Sequence, residues 1–436
     1  MFSRKDIIVL GMMIFALFLG AGNIIFPPME GFSSGQHWTS ASLGFVLTGV
    51  LMPFITLVVV AILGRGEELT KDLPKWAGTG FLVILYLTIG STFAMPRITN
   101  VAYEMAWLPL GLTENYANVR FVFSLIFNLI AMGFMISPNT IISSVGKFMT
   151  PALLVLLIAV AITVFISPLS EIQAPSNAYE NSHSLLIGLT SGYQTMDVLA
   201  AIAFGGIVAR ALSAKNVTKT KDIVKYTISA GFVSVILLAG LYFSLFYLGA
   251  TSAAVAEGAT NGGQIFSRYV NVLFGSAGTW IMAGIIVLAS LTTLVGVTSA
   301  SADYFSKFSV RFSYPFWAAL FTAMTITVSQ YGLTDLLRIT IPALLLIYPV
   351  AIVLVLLQFL RKKLPSIKFT YNSTLLVTVC FSLCDSLNNV KMLPESINSL
   401  LKHFPLSSEG MAWLVPTLVM LVASIFIGKA LHKTHS

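Results

Sequence analysis

Charge is scarce in this chain. Of its 436 residues only 10 % are Asp, Glu, Lys or Arg, while 56 % are hydrophobic; ordinary globular domains carry roughly a quarter charged residues. That shortage argues against a water-soluble enzyme. Cysteine is nearly absent: Cys380 and Cys384 are four apart on one apolar segment, with no His or further Cys at ligand spacing. A disulfide framework and a zinc site are both excluded, and the pair reads as packing. None of the five histidines lies four residues from another on an apolar run, and the sequence has no G-x-x-x-x-G-K-[ST], H-E-x-x-H or C-x-x-C-H motif. ATP binding, zinc-dependent hydrolysis and haem attachment lose their signatures. No cofactor and no catalytic residue are expected, and any energy the protein uses has to come from an ion gradient.

What the chain has in quantity is apolar length. Runs bounded by charged or Pro/Gly-rich stretches fall at 7–35, 39–63, 79–104, 119–138, 147–167, 182–208, 224–249, 277–304, 313–329, 338–359, 372–392 and 410–429. About 21 residues at 1.5 Å rise cross roughly 30 Å of hydrocarbon, so these read as twelve transmembrane helices, numbered here in that order. The eleventh is the weakest, because Asp385, Asn388, Asn389 and Lys391 dilute its second half. Residues 251–276 read as a connection carrying one surface helix. The amino-terminal run lacks an A-x-A-like cleavage site and is too long for a signal-peptide core, so it reads as a retained first helix.

The 25 Lys+Arg against 17 Asp+Glu give a net charge of +8. With the amino terminus in the cytoplasm, nineteen of the basic residues, Lys147 among them, fall in cytoplasmic segments and five on the opposite side, leaving Arg97 inside helix 3. This is the positive-inside pattern: both termini are expected in the cytoplasm, and the surplus charge sets orientation instead of binding nucleic acid.

Two of the twelve helices are interrupted at mid-depth. Helix 1 carries Gly20, Ala21, Gly22 and Asn23, with Pro27 and Pro28 beyond; helix 6 carries Ser191, Gly192, Tyr193, Gln194, Thr195 and Asp197. An unpaired backbone group in hydrocarbon costs several kcal/mol, so an unwound turn is tolerable only where it lines a cavity that uses those groups. Helices 1 and 6 open two successive sets of five, and since five is odd the second set starts from the opposite side. The expected architecture is therefore an all-α integral membrane protein of one domain, 1–436. It consists of a five-plus-five inverted repeat (1–167 and 182–359) with two extra helices in 372–429. Broken helices offer half-helix N-termini to a carboxylate and free carbonyls to an ammonium or cation, which suits a zwitterion.

Three further features stand beside competing structural readings. Asp197 is a carboxylate within a membrane segment, hence a pathway candidate as well as a hydrogen-bonding residue. Helix 8 presents hydroxyls at Thr292, Thr293, Thr298 and Ser299; these suit sodium, although Ser and Thr in such helices also bond back to their own carbonyls. Arg97, about 24 Å along helix 3 from Phe81, falls near the outer mouth, where it either gates or snorkels to headgroups.

The stretches KDIIVLGMMIFALFLGAGNIIFPP, FAMPRITN, GYQTMDVLAAIAFG and LTTLVGVTSASADYF resemble the bacterial branched-chain amino acid:cation symporter family over nearly the whole chain. The resemblance implies sodium- or proton-coupled uptake of leucine, isoleucine and valine across the cytoplasmic inner membrane, on a leucine-transporter-like fold. It implies that the substrate meets backbone at Gly20, Ala21, Gly22 and Asn23 and at Ser191, Gly192 and Tyr193, with Gln194 and Thr195 close by. In the wider superfamily a cation bridges helix 1 carbonyls and a G-[LIV]-T-S stretch of helix 8. Here that is GVTS, implying Thr298 and Ser299 with carbonyls of Ala16 and Leu19. An apolar pocket of Tyr193 with residues near Gly90 and Ser91 is implied to receive the side chain. Proton coupling through Asp197 is the alternative within transport, and a non-transporting sensor or channel is the alternative outside it.

Overall fold

The computed structural model describes residues 3–111, 118–135, 149–180, 183–308 and 311–434. Lys147 and the expected helix ends at 136–138 and 147–148 lie outside them. Among the described residues the regular structure is entirely helical. Helices fall within every expected apolar run; among the described residues six are long and apolar enough to cross a membrane, and a bent pair makes a seventh. Large apolar side chains such as Ile126, Ile158 and Phe426 stand exposed on the outer flanks, as lipid contact requires.

Helix 1 is two pieces, Arg4–Phe18 and Ala21–Ser34. Helix 6 is Ser184–Ser191 with a 3-10 turn Gly192–Thr195, followed by Asp197–Ser213, bent by 47°. Helix 2 runs from Trp38 to Leu63 through a π-helical turn at Leu47–Leu51, and helix 7 spans Thr220–Ala250. Both pieces of helix 1 pack along helix 7, and both pieces of helix 6 pack along helix 2. These seams are closed by small residues: a Cβ on Gly31 or Gly249 would strike backbone across the 1–7 contact, and one on Gly44 or Gly188 would do so across the 2–6 contact. Backbones this close are the usual device where water does not drive association.

The remaining helices form the frame. Helix 3 (Lys75–Leu87, continuing as Ala94–Ala102) kinks at Gly90, whose φ −87°, ψ −136° lie outside helical values. Helix 8 spans Ser276–Ser306, helix 10 Leu333–Leu360, helix 11 Ile367–Asn389 and helix 12 Leu414–Thr434. The connection before helix 8 holds Gly262–Phe274, which corrects the expected surface helix. Its Ile265, Phe266, Tyr269 and Val270 are fully buried, and it packs on the second half of helix 1.

The ion pairs that join separate segments each lie within a single end of the molecule. Lys215–Asp6 (3.3 Å), Lys307–Glu67 (3.1 Å) and Arg361–Asp72 (2.7 Å) all join connections assigned to the Lys/Arg-rich side. Arg120–Glu104 (4.0 Å) and His183–Glu409 join connections assigned to the other.

Candidate functional site

The helix 1 break is two residues long. Leu19 takes φ −72°, ψ 81° and Gly20 φ −90°, ψ 171°, so the chain turns extended for one step and re-enters helix at Ala21. The Gly20 N–H donates to the Phe18 carbonyl (2.7 Å) instead of to Ala16 four residues back, which releases the Ala16 carbonyl from the helix. The Leu19 carbonyl accepts from the Thr293 hydroxyl of helix 8, 3.1 Å away. Pro27 has no N–H for the Asn23 carbonyl, so a further acceptor is left on the second half.

At the helix 6 break the turn Gly192–Thr195 ends at Met196, a non-glycine residue held at φ 63°, a conformation that costs of order 1–3 kcal/mol and persists only where neighbours impose it. The neighbours are visible. The Val198 N–H, at the start of the second half, donates to the Tyr348 hydroxyl of helix 10 (3.3 Å), which in turn donates to the Thr48 carbonyl (3.1 Å) within the π turn of helix 2. Thr48 donates to the Leu189 carbonyl at 2.7 Å. Tyr193 stacks on Tyr348 with ring centroids 4.5 Å apart, and a Cβ on Gly192 would collide with the Thr48 hydroxyl. A π turn facing a broken helix is a common mark of functional geometry.

The two breaks are joined by one polar knot. Asn23 donates through Nδ2 to the Asp197 carboxylate at 2.6 Å and to the Tyr242 hydroxyl of helix 7, which lies 3.4 Å from the same carboxylate oxygen. All three side chains are buried. Asp197 opens the second half of helix 6, where the helix dipole favours a negative charge, and its N–H meets the Thr195 hydroxyl at 3.3 Å.

Arg97 does not reach headgroups. It is 3 % exposed, points inward between the breaks, and donates through Nη1 to the Gln194 carbonyl at 2.9 Å. Its guanidinium lies 5.3 Å from the Phe26 ring centroid, and Nη2 is 2.7 Å from where a Cβ on Gly22 would be. The snorkelling alternative is thereby corrected: the rise along helix 3 gives a depth but not a direction, and the Arg97 side chain is directed inward.

Of the helix 8 hydroxyls, only Thr293 reaches helix 1. Thr292 and Thr298 bond back to Ala289 (3.0 Å) and Leu294 (2.7 Å), and Ser299 has a buried hydroxyl with no partner. The hydrogen bond from helix 8 to the helix 1 break thus comes from Thr293, not from Thr298 or Ser299. Gly90 faces Ser301 of helix 8 and Ser91 faces Met324 of helix 9 (Tyr314–Val328), so neither is drawn to Tyr193. An open cavity of about 630 Å³ reaches Ser191, Tyr193 and Gln194 from the side where His183 and Glu409 meet.

Sequence reasoning missed Tyr242, Tyr348 and Glu30. Glu30, on the second half of helix 1, accepts the hydroxyl of Tyr179, a residue of the helix 5–6 connection that is itself 3 % exposed. An acid within an apolar run was a signal for it; the tyrosines lie in aromatic-rich helices that give none.

Two broken helices crossed by unbroken ones, with a backbone acceptor at one break and a braced turn at the other, is a frame that recurs in solved transporter structures. A closed, bromovinylhydantoin-bound structure of Mhp1, a nucleobase-cation-symport-1 family transporter, superposes at TM-score 0.65 and 14 % identity. It covers 98 % of this chain and 93 % of that one. MhsT in complex with L-phenylalanine gives 0.54 and 14 %, covering 97 % and 98 %. A family model described as branched-chain amino acid transport protein matches residues 3–431, and the chain belongs to that family. Relatives include the branched-chain amino acid permease BrnQ of Escherichia coli K12, 34 % identical over 98 % of this chain and 96 % of its own. The branched-chain amino acid transport system 3 carrier protein of Pseudomonas aeruginosa is 36 % identical over 98 % and 97 %. The protein is thus a multi-pass membrane transporter with the fold these structures share, not an enzyme.

Proposed function

We propose that this protein imports leucine, isoleucine and valine across a bacterial cytoplasmic membrane by sodium symport with alternating access. On this reading it crosses the membrane twelve times as a five-plus-five inverted repeat plus two helices, and both termini are cytoplasmic. The crosswise packing of helix 1 on 7 and helix 6 on 2 supports the repeat, because a shift of five exchanges one contact for the other. The confinement of the ion pairs to separate ends supports the orientation.

The observation that carries the coupling is the helix 1 break itself. The Ala16 carbonyl is released from the helix, the Leu19 carbonyl meets a helix 8 hydroxyl, Thr293, and uncharged oxygens of this kind suit a hard monovalent cation. Thr292 is adjacent. A cation there stabilises the unwound turn, and the same turn presents Gly20, Ala21, Gly22 and Asn23 to the amino acid. Each ligand then raises the affinity of the other by the same factor, a coupling of typically 1–3 kcal/mol. Opposite, Ser191, Gly192, Tyr193, Gln194 and Thr195 supply the second wall. Valine and leucine differ by one methylene, so their discrimination is about 1 kcal/mol.

Uptake of labelled leucine into proteoliposomes under an imposed sodium gradient, an imposed proton gradient or neither tests this. Accumulation driven by sodium is expected. Accumulation driven by protons alone would transfer coupling to Asp197, and absence of accumulation under every gradient would defeat the reading.

A further inference from the structure

A buried guanidinium ordinarily has a carboxylate beside it, because an ion taken out of water costs several kcal/mol unless paired and hydrogen-bonded. Arg97 departs from this. Its side chain is 3 % exposed, yet among the described residues no Asp or Glu oxygen lies within 4.0 Å of it. Its Nη1 donates to the neutral Gln194 carbonyl, and Nε is buried with no hydrogen-bond partner. The nearest acid in the site, Asp197, is engaged by Asn23 and Tyr242 instead. The guanidinium is also given room: it lies over Gly22, where a Cβ would come within 2.7 Å of Nη2. One turn along helix 3, Asn100 is fully buried with neither amide atom partnered. The site therefore holds a guanidinium with an unused Nε–H and spare amide donors between the two breaks, while its one carboxylate, Asp197, bonds to Asn23 and Tyr242 and does not touch that guanidinium.

Resting on the amino-acid reading above, we infer that Arg97 binds the α-carboxylate of the transported amino acid. The substrate supplies the contacting carboxylate that Asp197 does not. A guanidinium fork suits a carboxylate better than a point charge does, since it offers parallel donors. The proximity of Gln194 and Gly22 means that this contact forms only when both broken helices are in place around helix 3, which ties carboxylate recognition to closure of the site. Uncharged analogues that keep the side chain and ammonium but lose the carboxylate leave the guanidinium unpaired.

The test compares binding of leucine and leucinamide to the purified full-length protein in sodium buffer. Wild type is expected to prefer leucine strongly. Arg97→Gln is expected to weaken leucine by roughly 10- to 150-fold, the worth of a charge-assisted hydrogen bond, and leucinamide by less than about threefold. Arg97→Lys is expected to retain part of the preference. Gly22→Ala, which crowds the guanidinium without removing it, provides a second route should Arg97→Gln not fold. A folded Arg97→Gln or Gly22→Ala that keeps the wild-type preference for leucine over leucinamide overturns the inference. So does a leucine affinity that depends on chloride, with that preference unaltered when gluconate replaces chloride, because Arg97 would then serve an inorganic anion. If wild type binds no branched-chain amino acid but binds another amino acid with a carboxylate preference that Arg97→Gln abolishes, the branched-chain reading falls and Arg97 keeps its assignment.

Discussion

The breaks in helices 1 and 6 solve the same problem in opposite ways. Helix 1 stops for two residues with ordinary negative φ angles, releases the Ala16 carbonyl from the helix and gives the Leu19 carbonyl to a single hydroxyl, Thr293. Helix 6 stops through a tight turn, places Met196 at positive φ, and is held by Tyr348, Thr48 and Arg97. The first break leaves the Ala16 carbonyl without its helical donor and takes one bond from a neighbouring helix; the second is held from several sides and stores strain. The difference separates the place where an ion can be held from the place where the fold must not yield.

The largest expected effect comes from cutting the knot that joins the two. Asn23→Ala strips the Asp197 carboxylate of its shortest hydrogen bond, and bonds to charged groups are worth about 1.5–3 kcal/mol. Thermal unfolding should fall accordingly and initial leucine uptake by at least about tenfold; unchanged uptake would mean the breaks act independently. Next is the ion side. Thr293→Ala should raise the half-saturating sodium concentration by about 5- to 30-fold, as loss of 1–2 kcal/mol requires. Thr298→Ala with Ser299→Ala should leave it within about twofold, and the reverse ranking would restore the GVTS stretch as ligand. A subtler contrast sets Gly192→Ala against Gly20→Ala. The first drives a methyl into Thr48 and should cost about 1–3 kcal/mol in unfolding assays. The second enters a backbone conformation any residue adopts, with the Thr293 methyl 3.2 Å away, and should cost less than about 1 kcal/mol. Equal costs would dissolve the distinction between an open and a braced break.

The smallest effect concerns the rim. Burial pushes the Glu409 carboxyl up, but hydrogen bonds from His183 and Ser408 outweigh it and hold the carboxyl below its ordinary value of 4.5. A depressed folded value means the contact contributes above that pH and is lost as pH falls through the folded value. Glu409→Gln should therefore lower stability at pH 7 by about 0.5 kcal/mol and leave it unaltered at acid pH, flattening the acid limb of the unfolding profile by that amount; an unaltered acid limb would assign the rim no part in it.

Much of this was legible beforehand. The breaks could be seen because Gly20, Gly22, Asn23 and the polar run 191–197 interrupt otherwise apolar helices, and backbone chemistry in lipid permits that only for a reason. What could not be seen was rotation. Thr293 and Thr298 are five residues apart, about 140° around the helix, and nothing in the sequence says which side meets helix 1. The same ignorance hid Tyr242, whose role depends on how helix 7 is turned, and the inward aim of Arg97, which depends on how helix 3 is turned. Thr292 remained ambiguous for a related reason, since its hydroxyl can be spent on the carbonyl of its own helix.

The connection that follows helix 5 is stitched to the far end of helix 1. The Ser176 N–H donates to the Ser33 carbonyl (2.9 Å), the Gln36 N–H to the Gln173 carbonyl (3.1 Å), and Tyr179 to Glu30. A segment fastened this way travels with the half-helix it is fastened to. The exposed Glu180 next to Tyr179 is then a natural anchorage for a dye, and fluorescence from the surface would follow a displacement that begins at the buried break, turning a silent rearrangement into an optical signal.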